Sequence, residues 1–435
     1  MTSGARFLFY TNELVGFGHL RRQLALAARL SAMDAATTTS LIVTGSPVEP
    51  YFSLPPGVDA VKLPTRTRDE TGNHTGALLV ELSELQDLRS KIALVAAMAF
   101  RPTVMVVDKL PLGPAGELQP TLEAIRASSH CKVVLGLRDI DDSHERVRAN
   151  WGDARREILE RYYDAILVYG PAGTPDALDC MGWHDLRVPV AHVGYVSPAL
   201  PTPAPADVQA RYVLATAGSG RSGFTVLSAF LQALALAPLH CRSIVLTGPL
   251  MDPGEKEQLH AMAAGLDVEV WEFRTDIASL ISGALGVVGM AGYNTVAESV
   301  QARKPLLLVP RVRPGQEQLI RARFLAERGL VDMIHPDELT PATMRSALDR
   351  LVTRVPAPWR AEHFHGTDRA AEILWSLARG AGNDSIRLSS SQPEPVHLPA
   401  VGEPVIDGGR RALAVWAQGS GGLELVPERG TAGSQ

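Results

Sequence analysis

Cysteine is nearly missing from this chain of 435 residues, with three in all. Cys131, Cys180 and Cys241 lie far apart and form neither a metal-ligand nor a redox spacing, which argues against a disulfide scaffold or a zinc module and suits a reducing cytoplasm. Long apolar runs are missing too. No stretch approaches the roughly 20 residues that a membrane-spanning helix requires. The opening MTSGARFLFYTNELVG turns polar too soon for a signal peptide. A cytoplasmic protein is therefore expected, with at most peripheral contact at the inner face of a membrane. A positive surplus is absent: the net charge is -5, so no bulk basic field recruits nucleic acid or anionic lipid, and nucleic acid is not expected as a partner. There is no Gly-x-Ser-x-Gly elbow, His-Glu-x-x-His pair or phosphate-binding P-loop, which removes the commonest hydrolase and NTPase readings.

What is present is an ordinary globular composition, 46% hydrophobic and 20% charged, in a chain long enough for two domains. Short apolar runs alternate with helical periodicity, which predicts an α/β fold with parallel sheets. In the first half the strands read as RFLFY, SLIVTG, DAVKLP, TVMVVD, KVVLGL, DAILVYG and VAHVGYV, with helices such as HLRRQLALAARLSAM and LLVELSELQDLRSKIALVAAMAF between them. The Pro/Ala stretch SPALPTPAPAD suits neither helix nor central strand and reads as a linker. The alternation then restarts with RYVLATAG, SIVLTG, VEVWEF, ALGVVGM and PLLLVP. The boundaries read as one α/β unit over 1–196, a linker over 197–210, a second unit over 211–355 and a last helical segment over 356–379. The tail, 380–435, is rich in Gly, Ser and Pro and reads as disordered apart from a hairpin around QGSGG.

Ligands of open α/β sheets bind beyond the carboxyl ends of the strands, so polar residues just after strand runs carry the search. Four stretches qualify. In FYTNELVGFGHLRRQ a loop with Gly16, Phe17 and Gly18 leads to His19, the first polar group of a helix. The helix dipole there disfavours the charged imidazole, and a neutral one can take a proton from a hydroxyl; an exposed helix-opening His is the plainer reading. In LATAGSGRSGF, Gly218, Ser219 and Gly220 leave backbone N–H groups free for an anion, or simply make a tight turn. In GMAGYNTVAE, Gly292, Tyr293 and Asn294 stand at a helix mouth and Glu298 lies one turn further. That is the layout of a diphosphate and its ribose, but Thr295 and Glu298 also fit a capping box. In VPRVRPGQEQLIRARF, Arg311 and Arg313 could offset phosphate charge, and Gln316, Glu317 and Gln318 suit sugar hydroxyls. Asp139, Asp141 and Asp142 look superficially like metal ligands, yet RDIDDSHERVR more simply opens a helix; no metal is expected there. Asp108 and Arg138 end strands and could line a cleft.

In that order, these pieces resemble the GT-B glycosyltransferases, in particular the type that adds N-acetylglucosamine in lipid II synthesis. The similarity is sharpest over Gly289 to Val331, which looks like that family's donor-binding unit. The resemblance implies two Rossmann-like domains facing across a cleft, the first for the acceptor and the second for a nucleotide-sugar donor, with the last helix packing back on the first domain. It implies an inverting, metal-independent hexosyltransferase with no cofactor, using a UDP-sugar and a lipid-linked, saccharide or natural-product acceptor. On it Glu298 would hold the ribose, while Gly292, Tyr293 and Asn294 would face the diphosphate. Phe273 and Arg274 would lie where backbone reads the base, and Gly218, Ser219 and Gly220 would form the second glycine loop. His19 would be the base. Glu317 and Gln318 stand where the family has two Gln residues on the donor sugar, so one Gln is a carboxylate here. Phe17 replaces a glycine in the first loop. A nucleotide-sugar epimerase or hydrolase, or a non-catalytic sensor of nucleotide-sugars, would share the scaffold.

Overall fold

A computed structural model describes residues 4–11, 18–46, 52–68, 74–128, 130–200, 211–355, 357, 359–360 and 363–380, together with three strands near the C-terminus. Residues 1–390 form one compact unit and residues 391–435 another. The opening run RFLFY is β1 (Arg6–Tyr10), followed by α1 (Gly18–Met33), β2 (Thr39–Thr44) and β3 (Val58–Lys62). A short hairpin of β4 (Arg66–Arg68) and β5 (His74–Gly76) leads to α2 (Leu82–Phe100), β6 (Val104–Asp108), α3 (Gln119–Ser128) and β7 (Lys132–Arg138). Then come α4 (His144–Asn150), α5 (Asp153–Tyr162), β8 (Ala165–Tyr169), α6 (Ala177–Met181) and β9 (Val190–His192). Strands such as VMVVD and AILVY are buried at every residue, which requires cover on both faces and explains why they read as unbroken apolar runs. The helical pattern from Leu78 starts later than it reads: Leu78 to Glu81 are exposed, and α2 begins at Leu82.

The winding then repeats. β10 (Tyr212–Thr216), α7 (Phe224–Leu236), β11 (Arg242–Leu246), α8 (Pro253–Ala263), β12 (Val268–Trp271), α9 (Ile277–Gly283), β13 (Gly286–Gly289), α10 (Tyr293–Gln301), β14 (Leu306–Leu308), α11 (Glu317–Ala326) and β15 (Asp332–Met333) follow, with α12 (Pro341–Thr353) and α13 (Gly366–Ala378) closing the unit. The first sheet is ordered β3-β2-β1-β6-β7-β8-β9 and the second β12-β11-β10-β13-β14-β15. Every neighbouring pair in both is parallel. In each sheet the strand order reverses beside the first strand, and the crevice outside the carboxyl ends at such a reversal is where ligands sit. The interdomain stretch read from composition lies mostly outside the described residues, since 201–210 are not among them.

Several contacts join the elements of the two sheets, and one of them is fully buried. Arg321 on α11 grips Asp139, just after β7, through Nε at 2.7 Å and Nη2 at 2.5 Å, and donates from Nη1 to the Ala291 carbonyl at 2.9 Å. Neither partner of that pair exceeds 1% side-chain exposure. Asp142 accepts from the Gln316 backbone N–H at 2.9 Å, across 174 positions of sequence. The expected helix opening is present, with Ser143 as the N-cap of α4. Each Asp of the cluster has another partner, since Asp141 pairs with Lys109 at 2.8 Å. From α13, Trp375 stacks on Phe7 at 6.2 Å, and Asp368 pairs with Arg29 on α1.

In the second unit, β16 (Pro404–Asp407), β17 (Arg410–Trp416) and β18 (Leu423–Pro427) pair antiparallel, and β17 and β18 flank the QGSGG segment.

Candidate active site

The carboxyl ends of both sheets border one cleft of about 750 Å³. His19 sits in the first turn of α1 and is 17% exposed. Its Nδ1 meets the Oδ2 of Asp108, the last residue of β6, in a very short contact. Arg22 Nη2 lies 2.9 Å from the same nitrogen and 3.2 Å from Asp108 Oδ1. Arg22 can only donate, and Asp108, held far below the usual carboxylate range by His19 and Arg22 against the opposing pull of burial, can only accept. The consistent arrangement has the Nδ1 proton donated to Asp108 and Arg22 clamping the carboxylate, so the 2.9 Å approach of Arg22 to Nδ1 is a packing contact and not a hydrogen bond. The lone pair of His19 is then on Nε2. Burial lowers the imidazole pKa to about 4, with Arg22 and Arg138 lowering it further and Asp108 opposing them. At neutral pH the ring is uncharged and can accept a proton.

On the other side, Gly292 is the N-cap of α10 and has open space where a Cβ would lie. No side chain caps this helix, and Thr295 stands inside its first turn. The capping box therefore does not form, and the leading N–H groups stay available. Glu298 is six positions past Gly292, about 9 Å along the axis at 1.5 Å per residue. It is 2% exposed, and its Oε1 lies 2.7 Å from Arg21 Nη2 on α1. Beyond this ion pair, Oε1 has no hydrogen-bond partner among the described residues. Burial raises the Glu298 pKa, with Arg21 pulling the other way.

Gly18, His19, Gly218, Ser219, Phe273, Arg274, Gly292, Tyr293, Asn294, Glu298 and Gln318 all border the cleft. Gly220 and Glu317 do not. A Cβ at Gly220 would sit 2.5 Å from the Thr247 carbonyl, so that glycine serves close backbone packing, whereas Gly218 faces open space. Glu317 turns to Arg311, and Gln318 accepts from the Arg311 N–H at 3.0 Å. Tyr293 differs most from its expected role at the diphosphate. It is 4% exposed, its hydroxyl accepts from the Val196 N–H at 2.9 Å, and its ring packs on Tyr195 at 5.9 Å, so it ties the two halves together. Asn294 Nδ2 donates to the Gly18 carbonyl at 3.3 Å, directly across the cleft. Arg274 bonds Asp276 at 2.7 Å and lies over Trp271. Gly16 and Phe17 lie outside the described residues.

Residues 214–370 match the profile of the glycosyltransferase family 28 C-terminal domain. Curated relatives are the UDP-N-acetylglucosamine--N-acetylmuramyl-(pentapeptide) pyrophosphoryl-undecaprenol N-acetylglucosamine transferases. That of Phenylobacterium zucineum is 33% identical over 126 residues, covering 26% of this chain and 34% of the relative. That of Ralstonia nicotianae is 29% identical over 240 residues, covering 51% and 61%. The chain thus spans between a third and three-fifths of the length of these two relatives. Among solved structures, the calicheamicin glycosyltransferase CalG4 aligns with a TM-score of 0.53 at 18% identity, covering 91% of this chain and 100% of that one. MurG of Acinetobacter baumannii aligns at 0.51 and 15%, covering 86% and 99%. A protein assigned as a UDP-N-acetylglucosamine 2-epimerase from Listeria monocytogenes aligns at 0.58 and 12%, covering 87% and 97%. These likenesses are of fold, and the fold is GT-B.

Sequence reading passed over Arg21 and Arg22 and found Asp108 and Arg138 unspecific. Their positions after strand ends or in a first helical turn were the available signal. Their partners, 86 or more positions away in sequence for Arg22 and Asp108, were not.

Proposed function

We propose that this chain transfers a glycosyl group from a UDP-sugar to an acceptor hydroxyl, inverting the anomeric centre without a metal. The observation that carries the reading is Glu298: a buried carboxylate whose Oε1 has no partner but the Arg21 guanidinium, about 9 Å along the helix axis from the open amides at Gly292. A carboxylate held by a single exchangeable ion pair can turn to a ribose diol, and free N–H groups at a helix start suit the adjoining diphosphate. Accepting the ribose requires Arg21 to yield its place. His19 takes the acceptor proton on Nε2, the hydroxyl oxygen bonds the anomeric carbon, and the bond from that carbon to the β-phosphate oxygen breaks. The departing UDP carries added charge, which the α10 amides and the cleft arginines Arg221 and Arg313 stabilise. The relatives' names point to N-acetylglucosamine as the sugar.

A thermal-shift panel of nucleotide-sugars followed by a UDP-release assay tests this. UDP-sugars should raise Tm, release should require an acceptor, and a chelator should leave the rate unchanged. Absence of any UDP effect sinks the donor site, and loss of activity with chelator sinks the metal-free route. Consumption of donor with no acceptor would favour the epimerase or hydrolase reading that the shared fold allows. Retention of anomeric configuration in the product would overturn a single displacement.

A further inference from the structure

Most cations bordering the cleft already have a carboxylate. Arg21 pairs with Glu298, Arg22 with Asp108, Lys109 with Asp141, Arg274 with Asp276 and Arg311 with Glu317. Among the described residues Arg138 is different. It ends β7, borders the cleft, and reaches a carboxylate only at 3.9 Å, the Asp141 that Lys109 already holds at 2.8 Å. Its Nε is buried and has no hydrogen-bond partner. The trio of Arg138, Lys109 and Asp141 therefore carries one uncompensated positive charge, on strand ends of the first sheet.

Arg221 and Arg313 also border the cleft and have no ion pair among the described residues. They stand on loops of the second sheet, after β10 and β14, so the donor half has cations of its own for a diphosphate. Resting on the glycosyl-transfer reading, we infer that Arg138, assisted by Lys109, receives an anionic group of the acceptor, a phosphate or a carboxylate, in the part of the cleft that holds His19. A guanidinium with spare donors recognises either anion through charge-assisted hydrogen bonds. The arrangement also has a consequence for the base. Arg138 depresses the basicity of His19, as does Arg22, while Asp108 raises it. An acceptor anion seated on Arg138 offsets part of that depression, so a correctly charged acceptor makes the base stronger as it binds.

The test uses the full chain saturated with UDP, titrated calorimetrically with phenyl phosphate, benzoate and phenol. Phenyl phosphate or benzoate should bind the UDP complex, and phenol should bind without regard to Arg138. The stronger of the two anions tells whether phosphate or carboxylate is the natural group. Arg138→Gln should weaken anion binding about tenfold, Lys109→Gln should weaken it less, and Arg138→Lys should recover part of the loss. UDP affinity should stay within about twofold in all three variants, which also reports that they fold. Unchanged anion binding in Arg138→Gln, or no anion binding by the parent protein, overturns the inference while leaving glycosyl transfer intact. An equal loss of UDP affinity in Arg138→Gln reassigns the cation to the donor and overturns it as well. Failure of the parent protein to bind UDP at all removes the reading on which it rests.

Discussion

The two sheets wind alike but differ in the balance of backbone and side-chain groups at their carboxyl ends. The second offers open backbone, at Gly218 and Gly292, with one buried carboxylate, Glu298. The first offers side chains: His19, Arg22 and Asp108 drawn from the start of α1 and the end of β6, with Lys109 and Arg138 beside them. Open amides and a carboxylate suit a nucleotide, whose phosphates and ribose are shared by every donor of its class. Clustered side chains suit a partner that differs from enzyme to enzyme. The difference also tracks legibility. The pieces of α10 proposed to hold the donor lie within a single strand–loop–helix segment and fall inside the family 28 match, while the first sheet's cluster is collected from separate segments.

The comparison breaks most sharply at His19. His19→Ala should lower turnover by about 10²–10⁴-fold while leaving the donor KM nearly unchanged. UDP-release kinetics over a donor series checks both, and a loss confined to KM would move His19 from the chemistry to binding. The same residue sets a pH dependence. Its pKa in the folded chain is about 4, below the ordinary 6.5, so activity should hold from neutral pH down to about 5 and fall as pH drops through 4. Between 6.5 and 4 the unfolded chain binds the extra proton, so the His19 contribution to stability is full above 6.5 and is lost as pH falls across that window. A profile that breaks near 6.5 would show an imidazole in ordinary surroundings.

Next comes the tie between the halves. Arg321→Ala leaves Asp139 buried and unpaired and should cost about 3–5 kcal/mol, read from urea unfolding. Replacing both partners with apolar residues of similar volume should recover much of it, whereas a small single-variant effect would mean that water or another cation relieves Asp139.

Glu298→Gln sharpens the donor side. It should weaken UDP binding about tenfold, or about 1.4 kcal/mol, by calorimetry. An unchanged affinity would leave Glu298 as nothing more than the partner of Arg21.

The smallest expected difference lies between two glycines of one loop. Gly218→Ala, at φ 63 with open space around it, should cost about 1–2 kcal/mol of stability from backbone strain. Gly220→Ala, at φ 99 with the Thr247 carbonyl 2.5 Å from the new Cβ, should cost more. Equal melting temperatures for the two variants would erase the distinction between a cleft-facing and a packing glycine.

The alternation of buried strand runs and amphipathic helices was enough, without tertiary information, to predict two parallel sheets, because burial on both faces writes itself into neighbouring residues. The mouth of α10 was readable for the same reason: Gly292, Asn294 and Glu298 are local, and helical geometry alone sets their spacing. Which residues meet across the cleft was decided only by the folded chain. Arg21 beside Glu298, Arg321 on Asp139, Tyr293 under the Val196 amide and Asp108 against His19 are pairs between distant segments. A charged side chain in sequence shows its reach but not its partner, and in a low-dielectric interior the partner determines what the charge can do.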